Sequence, residues 1–167
     1  ERFGFPAGAA RELRDDFEEH FPERCVPFPG LASTLRALAA AGLVLGLVTN
    51  GRVLIQSRKI DGLGIRSFFD SIVISEAAGC RKPDPRIFEI ALTELAVAPG
   101  AAVFVGDHPV ADMEGARRAG LISIWKRDDF WPEPDDVVGV AEDLAQLPDV
   151  LFRLEGAGRT VEGGGGS

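Results

Sequence analysis

No stretch of the 167 residues is apolar for long enough to cross a bilayer, and no signal-peptide pattern opens the chain. A membrane partner is therefore not expected, and a cytoplasmic setting is. Cysteine is scarce: Cys25 and Cys80 lie far apart and lack metal-ligand spacing, so structural thiols in a reducing compartment fit better than a disulfide. Cys80 precedes Arg81 and Lys82, which can lower a thiol pKa, yet it reads as a spectator. Basic residues are also in deficit. Eighteen Lys and Arg stand against 26 Asp and Glu, for a formal charge of −8, which argues against nucleic acid and anionic membrane as partners. An anionic substrate would have to be drawn by local cations. Internal repeats are absent, and Gly62-Leu63-Gly64 lacks the third glycine of a dinucleotide fingerprint and follows a helix, so it reads as a helix stop.

What is present is a composition of 46% hydrophobic and 26% charged residues, enough for one domain with a sizeable core. The first residue is Glu1, and Gly163-Gly164-Gly165-Gly166-Ser167 has the composition of a flexible linker, so neither end is assumed to be a natural terminus.

Residues 7–21 show Leu13, Phe17 and Phe21 at four-residue spacing opposite Arg11, Glu12, Asp15, Glu18 and Glu19, which predicts an amphipathic helix with His20 on its surface. Pro22, Pro27, Pro29 and Gly30 mark a boundary. A helix with Leu31, Leu35 and Leu38 inward is expected to stop at Gly42. The run Leu43–Val48 is apolar on both faces, as in a buried parallel strand, and ends at Thr49-Asn50-Gly51. A helix over 52–61, a strand over 71–75, and a helix capped by Asp84 and begun by Pro85 follow. A third strand, Val103-Phe104-Val105, runs into Gly106-Asp107-His108-Pro109, with Pro109 in the first turn of the next helix. A fourth strand covers Leu121–Trp125. After it come Trp131, expected to cover an edge, a short Val137-Val138 element and a helix opened by Pro148. Strands alternating with helices on short connections predict an α/β fold with a doubly wound parallel sheet, whose ligands bind beyond the carboxyl ends of the strands.

Thr49, Lys82 and Asp107 all lie at or just after such ends, and Asp112 falls on the helical turn after Asp107. Each has a simpler reading: a polar strand end, a solvated loop lysine, a helix cap, and a carboxylate favouring a positive helix end. Together, a hydroxyl, an ammonium and two carboxylates at one rim can hold a phosphoryl group beside Mg²⁺, which takes one or two protein carboxylates and leaves room for water and phosphate.

From Pro29 to Trp125 the chain resembles the haloacid dehalogenase superfamily of phosphohydrolases. Leu47-Val48-Thr49-Asn50-Gly51 is similar to that family's second motif, Arg81-Lys82-Pro83-Asp84-Pro85 to its third, and Gly106-Asp107 through Asp112 to its fourth. The resemblance implies a Rossmann-like core over residues 30–155, preceded over 1–29 by the last part of a helical cap and followed by a flexible tail over 156–167. It further implies phosphate binding by Thr49, Asn50 and Lys82, with Thr49 and Lys82 catalytic, and Mg²⁺ held by Asp107 with Asp112. His108 has no general role in the family. The family's chemistry proceeds through an aspartyl-phosphate, and its first motif, Asp-x-Asp-x-Thr on an apolar strand, has no counterpart in this chain. Asp15-Asp16, Asp128-Asp129 and Asp135-Asp136 have the wrong spacing and context. The missing strand belongs between those of Val44–Val48 and Val103–Val105, where its loss leaves two apolar edges. The expectation is a fragment, a split or permuted chain, or a chain without its first segment. Its parent would hydrolyse a small phosphorylated metabolite, and the chain alone would be inactive.

Two rivals within reach of these motifs fare less well. A 2-haloacid dehalogenase works without metal and leaves the paired carboxylates without a task, and in a phosphoacceptor receiver domain the lysine ends the last strand. A non-catalytic regulatory or binding module explains the missing nucleophile but not the rest of the phosphate site. The cations Arg52, Arg58, Lys59, Arg81 and Arg86 could attract an anionic metabolite, although exposed helix faces account for most of them.

Overall fold

The computed structural model describes residues 8–159; the linker-like segment 163–167, the end of the expected tail and residues 1–7 of the expected cap lie outside them. Helix α1 (Ala9–His20) and a 3-10 turn (Phe21–Arg24) come first, then α2 (Leu31–Ala40), β1 (Gly46–Thr49), α3 (Val53–Gly62), β2 (Ser71–Ile74) and α4 (Ser75–Ala78). They are followed by α5 (Pro85–Leu95), β3 (Val103–Gly106), a π-helical turn (Pro109–Glu114), α6 (Gly115–Arg118), β4 (Ile122–Lys126), β5 (Gly139–Ala141) and α7 (Leu147–Arg159). Helix α7 thus runs past residue 155, where the core was expected to end.

The strands form two parallel sheets instead of one. β1 pairs with β2, with Gly46 opposite Ser71 and Thr49 opposite Ile74. β3 pairs with β4, and β4 with β5, with Val103 opposite Ile122 and Ile124 opposite Gly139. Among the described residues β1 and β3 each keep one unpaired edge.

Alternation along the strands puts side chains on both faces, as a doubly wound fold requires. On one face Val73, Ile87, Phe88, Ala91 and Ala116 form a core that Val48 and Phe104 join, and Phe88 of α5 meets Phe104 of β3 edge to face at 4.9 Å. Helix α5 therefore spans the two sheets. Fully buried side chains such as Ile87 and Phe88 contribute about 1.5–3 kcal/mol each. On the opposite face Leu35, Ile60 and Ile65 cover Leu47 and Ile72, while Leu147, Ile124 and Ala141 pack with Val103 and Val105. The Thr34 hydroxyl donates to the Leu144 carbonyl at 2.9 Å and ties α2 to the α7 end of the molecule.

Several expectations are corrected. The first strand starts at Gly46 rather than Leu43, because Leu43 and Val44 are exposed and Leu45 exchanges its backbone bonds with Asp70. The last short strand begins at Gly139, after Val137-Val138. Helix α1 buries the reverse of its expected face: Leu13, Phe17 and Phe21 stay 39–65% exposed, while Glu18, assigned to the polar face, is buried against the Arg52 guanidinium. The Glu18 contact reaches Arg52, the residue just ahead of α3. Cys25 and Cys80 are free thiols, and Asp84 accepts from the Arg86 amide as the expected cap of α5. No helix among the described residues is long and apolar enough to cross a membrane.

Candidate active site

The carboxyl end of β1 delivers Thr49, half-buried, with a hydroxyl that makes no hydrogen bond among the described residues. Asn50 follows. Its side-chain amide donates to the Lys82 carbonyl at 3.0 Å, and its side-chain oxygen accepts from the Lys82 amide at 2.9 Å. The side chain expected to bind phosphate is thereby committed to the backbone of the lysine loop, because a primary amide matches one backbone donor and one acceptor together. The loop after β1 that carries Asn50 is itself held from other sides. Gln56 donates to the Asn50 carbonyl at 3.1 Å, and the Gly51 amide donates to the Ser75 hydroxyl at 2.9 Å.

Lys82, which precedes a cis peptide to Pro83, is buried to 12% exposure and directs its ammonium to 2.6 Å from Asp112 Oδ1. The ammonium also lies 5.3 Å from the centre of the Phe104 ring. Asp112 is itself at 6% side-chain exposure. Its Oδ2 accepts the backbone amides of Asp107 at 3.2 Å and His108 at 3.1 Å, so the side chain curls back beneath the end of β3. Only glycine at 106 permits this: a Cβ there would stand 2.6 Å from Asp112 Cβ, Cγ and Oδ2. Gly115 serves a related close approach, to Phe88 and Pro83.

Asp107 points outward from the strand end. Its carboxylate is held above the ordinary range by desolvation first and then by the charge of Asp112, with Asp128 adding a smaller push. The Trp125 indole N–H donates to the Asp107 carbonyl at 2.8 Å. Trp131, expected on a sheet edge, instead stacks on His108 with ring centres 4.4 Å apart.

The structure thus joins Asn50, Lys82, Asp112 and Asp107 by direct contacts that bridge the ends of β1 and β3, with Thr49 next to Asn50. Whether these residues suit a divalent cation can be tested on Asp112 Oδ1. It is a buried acceptor with no hydrogen-bond partner, and the positive charge nearest to it is the Lys82 ammonium at 2.6 Å. Beside it is the Asp107 carboxylate, whose ionised form is disfavoured by burial and by the Asp112 charge. Two hard oxygen donors of this kind fit Mg²⁺ with water and phosphate completing its shell; among the described residues no group of three or more His, Cys, Asp or Glu side chains gathers to hold a metal. A cleft of about 480 Å³ opens next to Asn50, Gly51, Arg52, Cys80 and Arg81. Trp125 and Ser75 escaped the sequence reading, for their parts depend on partners distant in the chain.

A profile described as Haloacid dehalogenase-like hydrolase matches residues 6–126. A glyceraldehyde 3-phosphate phosphatase from Methanopyrus kandleri is 42% identical over 116 residues, which cover 67% of this chain and 50% of that one. The chain spans about half the length of the curated relatives it matches. Among solved structures, a HAD phosphatase from Thermococcus onnurineus superposes with a TM-score of 0.76 at 28% identity, covering 83% of this chain and 64% of the other. A 2-haloacid dehalogenase from Pseudomonas syringae gives 0.72 at 34% identity, with 90% and 65% covered.

Proposed function

The chain belongs to the haloacid dehalogenase-like hydrolase family, and from that membership we propose that it carries most of a Mg²⁺-dependent phosphomonoesterase acting on a small phosphorylated metabolite. The observation that carries the reading is the contact path from Asn50 through Lys82 and Asp112 to Asp107, which gathers phosphate-type and metal-type groups at one rim. The printed activity of the Methanopyrus kandleri relative, a phosphatase of a triose phosphate, supports a substrate of that size.

In this reading the free Thr49 hydroxyl donates to a phosphoryl oxygen, and Lys82 neutralises the charge of that group. Asn50 acts on the substrate only indirectly, by fixing Lys82. Asp107 and Asp112 hold Mg²⁺, which when bound offsets negative charge on the phosphoryl group. The nucleophilic carboxylate comes from a strand outside the described residues that pairs with the open edges of β1 and β3. Its oxygen bonds to phosphorus as the ester P–O bond breaks, and the departing alkoxide takes a proton from the second aspartate of that Asp-x-Asp strand; the same aspartate then accepts a proton from the water that attacks phosphorus, which releases phosphate and restores the nucleophilic carboxylate. Without that strand the chain has no turnover. Helix α1 and its 3-10 turn are the last part of a helical cap, and the core runs from residue 30 to the end of α7.

Adding in cis or in trans a strand carrying Asp-x-Asp tests the reading. Mg²⁺-dependent phosphate release from p-nitrophenyl phosphate is expected, and Lys82→Ala and Asp107→Ala should abolish it. Chloride release from 2-chloropropionate without metal would make the protein a dehalogenase. Neither activity, in a completed sheet that binds phosphate, would make it a binding module.

A further inference from the structure

We propose that His108 is a positioning residue for the Asp107 and Asp112 carboxylates, holding the intervening turn so that its amides stay off the oxygens that face a cation. The inference rests on the reading of those carboxylates as the metal-holding pair.

The Asp107 and His108 amides go to Asp112 Oδ2. Pro109 has none. The Val110 and Ala111 amides both donate to Nδ1 of His108, at 3.2 and 3.1 Å. The Asp112 and Met113 amides go to the His108 carbonyl, at 2.9 and 3.3 Å. Every donor between residues 107 and 113 is therefore satisfied inside the turn, and His108 takes four of the six through its ring and its carbonyl. Because Nδ1 accepts twice it carries no proton, which assigns the ring proton to Nε2.

Amides at the start of a helical turn attract the nearest anion. Here Asp107 directly precedes the turn and Asp112 lies within it. If Val110 and Ala111 lost their acceptor, their amides would compete for the carboxylate oxygens that a cation needs. The wider π spacing matters too, since the Met113 amide returns to residue 108 and lets Asp112 fold back against Gly106. Trp131 restrains the imidazole through a tilted ring contact, centres 4.4 Å and planes 36° apart, and Phe130 meets Trp131 edge to face at 4.8 Å. Serine, threonine, aspartate and asparagine are the usual residues at such a position. A ring does the same work here, with the addition of an aromatic wall that keeps it in one orientation.

Two substitutions separate the acceptor from the ring. His108→Phe keeps the stack on Trp131 and removes the acceptor; His108→Asn keeps a side-chain acceptor and removes the stack. Mn²⁺ binding to the full chain, read by electron paramagnetic resonance, is the probe, with Asp107→Asn as the reference for a lost ligand. We expect the Mn²⁺ affinity of His108→Phe to fall about tenfold or more, and that of His108→Asn to stay within about twofold of the parent chain. Unchanged affinity in His108→Phe, or an equal loss in both variants, overturns the inference. If the parent chain binds no Mn²⁺, or Asp107→Asn binds it as well, the metal reading itself falls, and this inference with it. Amide exchange in the unsubstituted chain reads the same bonds without any risk of misfolding. Protected Val110 and Ala111 amides support the role, and exchange at the rate of an open loop overturns it.

Discussion

The Lys82 ammonium stands 2.6 Å from Asp112 Oδ1, with only 12% and 6% of the two side chains exposed. A phosphate-type cation and a metal-type carboxylate thus neutralise each other across the gap between the two sheets. Such a pair is costly to break from one side, because the surviving charge stays buried. Lys82→Met alone should therefore destabilise the chain by about 3–5 kcal/mol. Adding Asp112→Asn, which removes the charge and keeps an acceptor for the Asp107 and His108 amides, should return much of that loss. Urea denaturation of the two single variants and the double variant gives the coupling energy, and a value near zero would show that the contact is not energetically real.

Asn50 makes one acceptor and one donor bond to the same residue, so its substitutions are ordered by chemistry. Asn50→Ala leaves both Lys82 backbone groups unpaired and should cost about 1–3 kcal/mol. Asn50→Asp keeps the bond from the Lys82 amide but sets an oxygen against the Lys82 carbonyl, so it should rescue little. Denaturation midpoints settle the order. Full rescue by aspartate would mean that the donor half is irrelevant.

Gly106→Ala places a Cβ 2.6 Å from Asp112 Cβ, Cγ and Oδ2, so the clash falls on the root of that side chain as well as on its end. Asp112 or the strand end must shift, at about 1–3 kcal/mol. The same variant should weaken Mn²⁺ binding, since Asp112 can no longer sit beneath Asp107. A variant of native stability and native metal affinity would contradict this account of the glycine.

The raised pKa of Asp107 has a definite sign in the pH dependence of stability. Between the ordinary aspartate value and its raised native value, the folded chain binds more protons than the unfolded chain, so this residue's contribution to stability falls as pH rises through that window. Asp61 and Asp84, lowered mainly by hydrogen bonds from Arg66 and Arg86, slope the other way. The difference between Asp107→Asn and the parent chain is therefore the readout. Melting temperatures recorded from about pH 4 to about pH 7 should show the variant gaining on the parent as pH rises. A constant difference would refute the assignment, and saturating Mg²⁺ should erase the parent's disadvantage.

Glu18 and Arg52 join α1 to the loop after β1, and Arg52 also faces Glu76 at 3.6 Å. With Leu13 and Phe17 largely exposed, this pair is a main tie of the first helix. Glu18→Gln and Arg52→Ala should both speed limited proteolysis within residues 9–24, while cleavage in the core stays slow. Unaltered cleavage would shift the anchoring to Phe21 and Lys59, whose ammonium lies 4.6 Å from the ring centre.

The alternation of strands and helices was readable because apolar periodicity and turn residues are local signals. Gly42 at a φ of 80° and the Asp84 cap with Pro85 fall where such signals put them. The exposed face of α1 was not readable in the same way. Its stripe of Leu13, Phe17 and Phe21 is a sound helical pattern, but a pattern names no partner, and among the described residues the helix turns its Glu18 inward instead.

By itself the sequence determined the α/β class and singled out Thr49, Lys82 and Asp107 at or shortly after strand ends and Asp112 on the helical turn that follows, since strand, turn and helix follow from neighbours in the chain. Tertiary structure decided what those residues do to one another: Asn50 clamps Lys82, Lys82 neutralises Asp112, Trp125 pins Asp107, and His108 gathers the amides between them. Among the described residues it also left one edge of β1 and one edge of β3 open on either side of the bridged site. Most of these contacts join residues that are many positions apart, and their geometry is set by how helices and sheets stack, which no local pattern encodes.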